Sequence, residues 1–468
     1  MSHRVTVCPS ASSFILLIGK ETITMTNQTS SRKGISRRQF LKLGGGAAVL
    51  VAGSSLMSAI GNNVLKPAKI SKAQGPADAY WVATDGWIKL PDTYPVPGFF
   101  PDDLAPPPYN AYIFGFRDVT GLNQELKLAQ KGHAGYPGPL ILTDEGAEYK
   151  VNLTNLGLSM RPDLIDSHTI HWHGFRNAIP FFDGEPTSAI AVPIGQDFTY
   201  LYRPHDPGTY FYHCHFEDTE HVHMGMAGVA IVRPLQNQGT GLIPAGKYVF
   251  NDGVLPGDPG STAYDREFVV ALTDFWAEAH WADSHIQLPD WSVFNPDFWF
   301  MNGRSYPDTL APHSPGLWFA DPNQGGLMQP PPGRPDLQAQ WLSSLIQANA
   351  GERILLRIIC ATFQDEALTL DGIPLTVVGR DAMMLRGRDG TNQFYVTNNI
   401  PLHSGETFDV IFTAPNVTEP TTFYLHNTNL SHLTNAGGPG FGGQMTEVRV
   451  YPAGTLPAQT LPHQLFDV

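Results

Sequence analysis

The chain has 468 residues, 42% of them hydrophobic and 11% aromatic, with a formal net charge of −14. That length supports two or three domains with their own cores, and the acidic balance excludes nucleic acid as a partner, because phosphate binding needs a basic face. Glycine and proline are abundant (46 and 40) while long helical periodicity is scarce, so the chain reads as all-β, with short strands joined by turns.

Residues 1–73 read as an export signal. Ser36-Arg37-Arg38-Gln39-Phe40-Leu41-Lys42 is a twin-arginine pattern, and a weakly apolar run from Leu43 to Leu56 follows it. The run is short and glycine-rich for a membrane span. Ser71-Lys72-Ala73 sets small residues where a signal peptidase reads, which predicts cleavage after Ala73. Residues 1–24 add nothing a leader needs, so Met25 is an alternative start. The expected location is the periplasm or outside the cell, with no membrane attachment after cleavage. Cys8 leaves with the leader, and so do ten of the 29 Lys/Arg and one of the 43 Asp/Glu, which gives the mature chain a formal charge of −23.

The first domain is expected over 80–234. It contains Asp166-Ser167-His168-Thr169-Ile170-His171-Trp172-His173-Gly174, and then His213-Cys214-His215 with His221, His223, Met224, Gly225 and Met226. One thiolate with two imidazoles and a thioether is the donor set of a mononuclear blue copper site. Zinc more usually takes several cysteines, or a carboxylate and an open water position. The further histidines beside the cysteine point to more copper close by. On a strand, residues i and i+2 share a face. His171 and His173 would therefore point together, as would His213 and His215, while Cys214 points to the opposite side.

A Gly/Pro/Asp-rich connector is expected over 235–264, a second domain over 266–452 and a short tail over 453–468. Asn295 to Thr309 would open the second barrel, and the Pro/Gly-rich stretch 308–337 reads as an excursion from it. The second domain echoes the first. Ile141-Leu-Thr-Asp-Glu-Gly146 returns as Ile346-Gln-Ala-Asn-Ala-Gly351, Gly195-Gln-Asp-Phe198 as Gly405-Glu-Thr-Phe408, and Gly208-Thr-Tyr-Phe-Tyr212 as Thr421-Thr-Phe-Tyr424. The order is kept and the offsets are 205, 210 and 212, which points to duplication. Cys360 falls in an apolar strand and reads as an inert buried thiol, so no disulfide framework is expected. His280 and His285 read as solvated loop residues, with Trp281 available to a substrate.

His168-Thr-Ile-His-Trp-His-Gly174 resembles the HxxHxHG element of the multicopper oxidase family, and His213-Cys-His215 with His221 and Gly225-Met226 resembles its HCH…H…GM element. The resemblance implies two tandem cupredoxin-type Greek-key β-barrels, with the blue site in the first. This plan is similar to two-domain multicopper oxidases and to copper nitrite reductases. It implies type 1 copper on His168, Cys214, His221 and Met226, with His223 and Met224 as the nearest rivals. It also implies that His171, His173, His213 and His215 are the first domain's share of a type 2 or type 2/3 copper centre. Asp183 and Glu217 match acidic positions beside the family's oxygen-reducing cluster, where proton delivery is chemically reasonable; capping of turns is the alternative.

The second domain departs from the pattern. Thr369-Leu-Asp-Gly372 stands where a second HxHG would be, and Leu425-His426-Asn427 or His426-Asn-Thr428 stands where a second HxH would be. His426 is the obvious imidazole left there. The nitrite reductases place a type 2 copper between two subunits, which would here use His173, His213 and His426 of the partner subunit in a homotrimer. Their acid position is His171 in this chain, and their catalytic histidine corresponds to Ile373. Three readings follow. The first is an exported oxidase passing electrons from a small-molecule or protein donor to dioxygen, the second a nitrite-reducing enzyme, and the third an electron carrier with the blue site alone. Retention of His171, His173, His213, His215 and Glu217 argues against the third, and the first-domain signature, which follows the multicopper oxidase family letter by letter, favours the first.

Overall fold

The computed structural model describes residues 76–91, 101–176, 178–237, 247–251, 261–315 and 328–468. The expected export signal with its cleavage site, 238–246 and 252–260 of the connector, and 316–327 of the Pro/Gly-rich excursion lie outside the described residues.

The first domain is built from β1 (Ala79–Ile88), β2 (Ala111–Asp118), β3 (Ile141–Asp144), β4 (Tyr149–Gly157), β5 (His171–Trp172), β6 (Asp197–Tyr202), β7 (Gly208–His213) and β8 (Ala227–Arg233). They form two sheets, ordered β2-β1-β4-β6 and β3-β8-β7-β5. β1 runs parallel to β4 and β3 parallel to β8, and the remaining pairs are antiparallel. Aromatic and β-branched residues suit a pleated, half-buried surface, and the core between the sheets is strongly aromatic, with Trp81, Tyr112, Phe114, Trp172, Tyr200 and Tyr212. Cys214 and Met226 lie in that same core cluster, so a metal bound there is shielded from water.

The second domain repeats the plan with an aliphatic core, including Ile354, Leu356, Ile358, Leu368 and Val410. Arg266–Phe275 runs parallel to Arg353–Cys360 as β1 does to β4. Ile346–Asn349 runs parallel to Met445–Tyr451 as β3 does to β8. Thr421–Asn427 pairs with Met445–Tyr451 and with Glu366–Leu370, as β7 pairs with β8 and β5. The weak sequence echo is therefore a repeat of strand pairing. Helices among the described residues are short: α1 (Gln124–Leu128), α2 (Asp218–Met224) and α3 (Ala277–Ser284). None is long and apolar enough to cross a membrane.

The domains meet through an apolar cluster that joins Phe211, Val229 and Ile231 to Val269, Trp341 and Ile359. Beside it lies a buried charged network. Glu267 pairs with Arg233 and, at 2.6 Å, with Arg357. Arg357 also donates to Thr209 of β7 at 3.0 Å, and Thr209 donates to Asp409 at 2.5 Å. β7 is thus held from the second domain just before it reaches His213 and Cys214.

Candidate metal centres

β5 and β7 bring the two histidine motifs together, pairing His171 with His213 and Trp172 with Tyr212. Past the end of β7, the Cys214 amide donates to the Met226 carbonyl at 3.0 Å, which draws the two ends of the HCH…GM element side by side. Between them the chain turns through Glu217, at φ 46°, into α2, which carries His221 inward.

His168, Cys214, His221 and Met226 are all buried. Cys214 Sγ lies 3.8 Å from His168 Nδ1 and 3.4 Å from His221 Nδ1, and the Thr169 amide approaches it at 3.4 Å. Metal–sulfur and metal–nitrogen bonds of about 2.3 and 2.0 Å at a trigonal angle need ligand atoms about 3.7 Å apart, so these donors fit a single copper ion. Burial, and then the neighbouring His221, push the His168 ring well below its usual range, which keeps it neutral as a ligand requires.

The rival His223 is two residues beyond His221 on α2, about 200° around the helix, and it faces away. Its Nε2 accepts from the Trp276 amide at 3.1 Å, and its ring packs among Phe294, Trp291 and Phe363. It is a core histidine at the domain junction. His280, expected in a solvated loop, is another. It is buried on α3, stacks on Phe275 at 3.6 Å, and its Nδ1 lies 2.6 Å from the Tyr112 carbonyl. His285 stacks on Trp281 and pairs with Asp103 at 3.0 Å.

His171, His173 and His213 form the second group, with one nitrogen from each within 4.8 Å of the others. His215 adjoins them, its ring centroid 5.0 Å from that of His171. In each of the three the Nδ1 faces a carbonyl: His171 that of Asp183 at 2.7 Å, His173 that of Gly405 at 3.3 Å, and His213 that of Cys214 at 2.7 Å. A ring nitrogen facing a carbonyl carries the proton, which leaves Nε2 as a bare lone pair. The His213 Nε2 is buried without a partner. Burial, and then His173, push the His213 ring down to about 3. Three convergent imidazoles, with the His213 Nε2 among them lacking a partner, fit a copper ion. A cleft of about 180 Å³ opens onto His173 and His213, with Asp218 and Ser404 on its walls.

Asp183 acts on this centre through its backbone as well as its carboxylate, which is 3.7 Å from His171 Nδ1. Gly184 follows it at φ 81° and packs on the chain before His171, where an added Cβ would press on the Ile170 carbonyl and sit 2.9 Å from the His171 nitrogen. Gly184→Ala is expected to cost at least about 2 kcal/mol in stability and to weaken copper retention at the second centre; thermal melts and copper analysis check both.

Glu217 lies elsewhere than expected. Its carboxylate groups with Asp166 and His221, on the side of the strand that Cys214 faces, because the left-handed turn at Glu217 breaks the strand alternation. Asp166 Oδ2 and His221 Nε2 are 3.6 Å apart, and both are buried without a hydrogen-bond partner. Asp166 belongs to the first histidine motif, and its place two residues before His168 was the signal for it.

In the second domain, strand register selects between the two alignments. His426 pairs with Thr369 and Met445 as His213 pairs with His171 and Ala227. The Asn427 amide donates to Gln444 at 3.0 Å, as Cys214 does to Met226. His426-Asn-Thr428 is therefore the counterpart of His213-Cys-His215, and Asp371 the counterpart of His173. His426 Nδ1 lies 2.7 Å from the Asn427 carbonyl, and its Nε2 lies 3.1 Å from Asp371. His426 does not join the His171 group of the same chain. By the same register, Glu366, Asn427 and Gln444 stand where His168, Cys214 and Met226 stand. They are buried and tied to one another and to His432: Asn427 donates to Glu366 and, at 2.7 Å, to Gln444, while His432 Nδ1 lies 2.7 Å from Glu366. A hydrogen-bonded polar network without a thiolate fills the position of a second blue site.

Two family models described as multicopper oxidase match the chain, one over residues 128–237 and another over 266–446, together more than half of it. The chain belongs to the multicopper oxidase family. Among curated relatives of this family, an L-ascorbate oxidase of Nicotiana tabacum is 25% identical over 303 residues, covering 63% of this chain and 44% of that protein. Laccase-3 of Thanatephorus cucumeris is 23% identical over 315 residues, with 65% and 44% covered. The chain thus spans less than half the length of these relatives. Among solved structures, a blue copper oxidase from Nitrosomonas europaea superposes with a TM-score of 0.51 at 22% identity, covering 79% of this chain and 85% of that one. The multicopper oxidase mgLAC gives 0.50 at 20% identity, with 81% and 87% covered. These likenesses concern the fold, two cupredoxin-type β-barrels in tandem.

Proposed function

We propose that this multicopper oxidase family member is an exported copper oxidoreductase that oxidises a donor on the His221 side and reduces dioxygen on the His173 side. The observation that carries the reading is the back-to-back placement of two donor sets at the end of β7. Cys214 faces one set, and its carbonyl accepts from His213 of the other at 2.7 Å. Copper held in both sets supplies one-electron redox chemistry. Between them the chain offers a path of covalent bonds and one hydrogen bond, running from Sγ through the Cys214 carbonyl to the His213 ring. On the donor side, Asp166 and Glu217 stand beside His221 and offer acceptors for a proton that a phenol-like donor would release. On the acceptor side, Asp183 fixes His171, and Asp218 lines the cleft through which protons arrive from solvent. The donor itself is a small molecule or a redox protein.

The centre is only half built by one chain. We propose a homotrimer in which His426 of the partner subunit approaches the His171, His173 and His213 group, since a closed ring satisfies an interface between unlike surfaces. One observation favours a second reading, a nitrite-reducing enzyme with fewer coppers: Thr369 and Asp371 replace the imidazoles at the positions of His171 and His173.

The test is the copper content of the purified mature protein alongside its electron paramagnetic resonance spectrum. More than one copper per chain is expected, with type 1 and type 2 signals and dioxygen uptake. In His173→Ala, uptake is expected to fall more than about 100-fold, beyond the loss typical of a supporting residue, while the blue signal remains. One copper per chain with a type 1 signal alone would make the protein an electron carrier. Nitrite reduction without dioxygen uptake would establish the second reading.

A further inference from the structure

Away from both copper centres, β2 carries Arg117 into the wall of a cavity of about 220 Å³. Trp87, Tyr109, His133 and Gln338 line the same space. Arg117 is 7% exposed, yet among the described residues its one hydrogen bond runs from NH1 to the His133 carbonyl at 3.0 Å. Among the described residues no carboxylate lies within ion-pair distance of it. The adjacent Asp118 spends Oδ1 on the Thr120 amide; burial pushes its carboxyl up while Arg117 draws it down, and the two charges act on each other without direct contact. The other titratable groups facing the guanidinium are the Tyr109 hydroxyl and the His133 ring, whose pKa burial, and then Arg117 itself, lower. A guanidinium offers five donors in a planar fork matched to a carboxylate. Burying that charge without a counter-ion in direct contact is costly, by up to several kcal/mol per ion in general. The cost disappears if an anion completes the site.

We propose that this cavity is a binding site for a small aromatic carboxylate, its carboxylate on Arg117 and its ring between Trp87 and Tyr109. The rings offer flat apolar faces to an aromatic body. The volume is below that of a drug-sized pocket, which limits the ligand to about one ring. The site is separate from the redox chemistry proposed above, so it stands or falls independently.

Benzoate is the probe, titrated calorimetrically into the full mature protein. Saturable binding is expected, with a benzoate-dependent rise in melting temperature. Arg117→Gln is expected to bind at least 10-fold more weakly and, without benzoate, to melt no lower than the parent, because it removes an unpaired charge. On the unmodified protein, methyl benzoate, with the same ring and no charge, is expected not to bind, and this comparison holds even if the variant fails to fold. Equal binding of benzoate and its ester would overturn the proposal. So would unaltered affinity in a folded Arg117→Gln, or no saturation by benzoate in the millimolar range. Inorganic phosphate binding more tightly than benzoate would replace the aromatic ligand with a simple oxyanion.

Discussion

Cys214→Ser is expected to abolish the intense visible colour of the copper-loaded protein and, under the proposed function, to reduce dioxygen uptake at least about 100-fold, with the fold intact. A thiolate is the soft donor that makes a copper site with this donor set blue and selects copper. Sγ faces two imidazole nitrogens at 3.4 and 3.8 Å in a site sealed from water, so no solvent ligand can take its place. A serine hydroxyl keeps a partner in the Thr169 amide, which approaches Sγ at 3.4 Å. The loss of stability should therefore stay within the roughly 1–3 kcal/mol of one imperfect buried polar contact. Absorption spectra, copper analysis and circular dichroism of parent and variant check the three parts separately. A variant that keeps the blue band would remove Cys214 from the site.

Glu267→Gln is expected to have the largest effect on stability, about 3–5 kcal/mol, because it takes away the carboxylate shared by two arginines in the domain interface, leaving Arg233 without its partner and Arg357 with Asp409 alone, at 3.6 Å. Glu267 is 1% exposed, and its two oxygens serve Arg233 and Arg357, the latter fully buried. Burial alone would push its carboxyl up; Arg233 and Arg357 together hold it down at about 2, below the usual 4.5. A folded-state value below the unfolded one means that the folded protein binds the proton less readily than the unfolded chain. The stabilisation is therefore complete above about pH 4.5 and lost as pH falls towards 2. Denaturant unfolding of parent and variant, at neutral pH and across that acid window, tests both magnitude and sign. A difference under about 1 kcal/mol at neutral pH would show that the network is not holding the domains. Because Thr209 of β7 hangs on Arg357 at 3.0 Å, loosening of the His168, Cys214 and His221 group should accompany unfolding of this interface.

The grouping of the histidines and Cys214 was readable because they sit on and beside strands, where alternate residues share a face and short spacings translate directly into sides. His171 with His173 and His213 opposite Cys214 follow from that rule alone. The rule fails where the chain leaves the strand. Glu217 adopts a left-handed backbone at φ 46°, and α2 follows, so Glu217 turns to the side that Cys214 faces and His223 points away from His221. Neither α2 nor α3 carries a strong pattern of its own. They are short helices fixed by tertiary packing, which is why the burial of His223 and His280 escaped a local reading.

The sequence by itself determined the donor types and the duplication of an all-β domain, since thiolate and imidazole chemistry and strand alternation are local properties. Only the tertiary structure decided which residues of the second domain correspond to the ligands of the first. A one-residue shift of register moves every side chain to the other face, and strand pairing alone resolves it. That pairing puts Asp371 and His426 where His173 and His213 stand, and it puts Glu366, Asn427 and Gln444 where the blue ligands stand. The paired charges that join the domains, Glu267 with Arg233 and Arg357, were equally out of reach, because partners 34 and 90 residues apart meet only once the strands have been laid side by side.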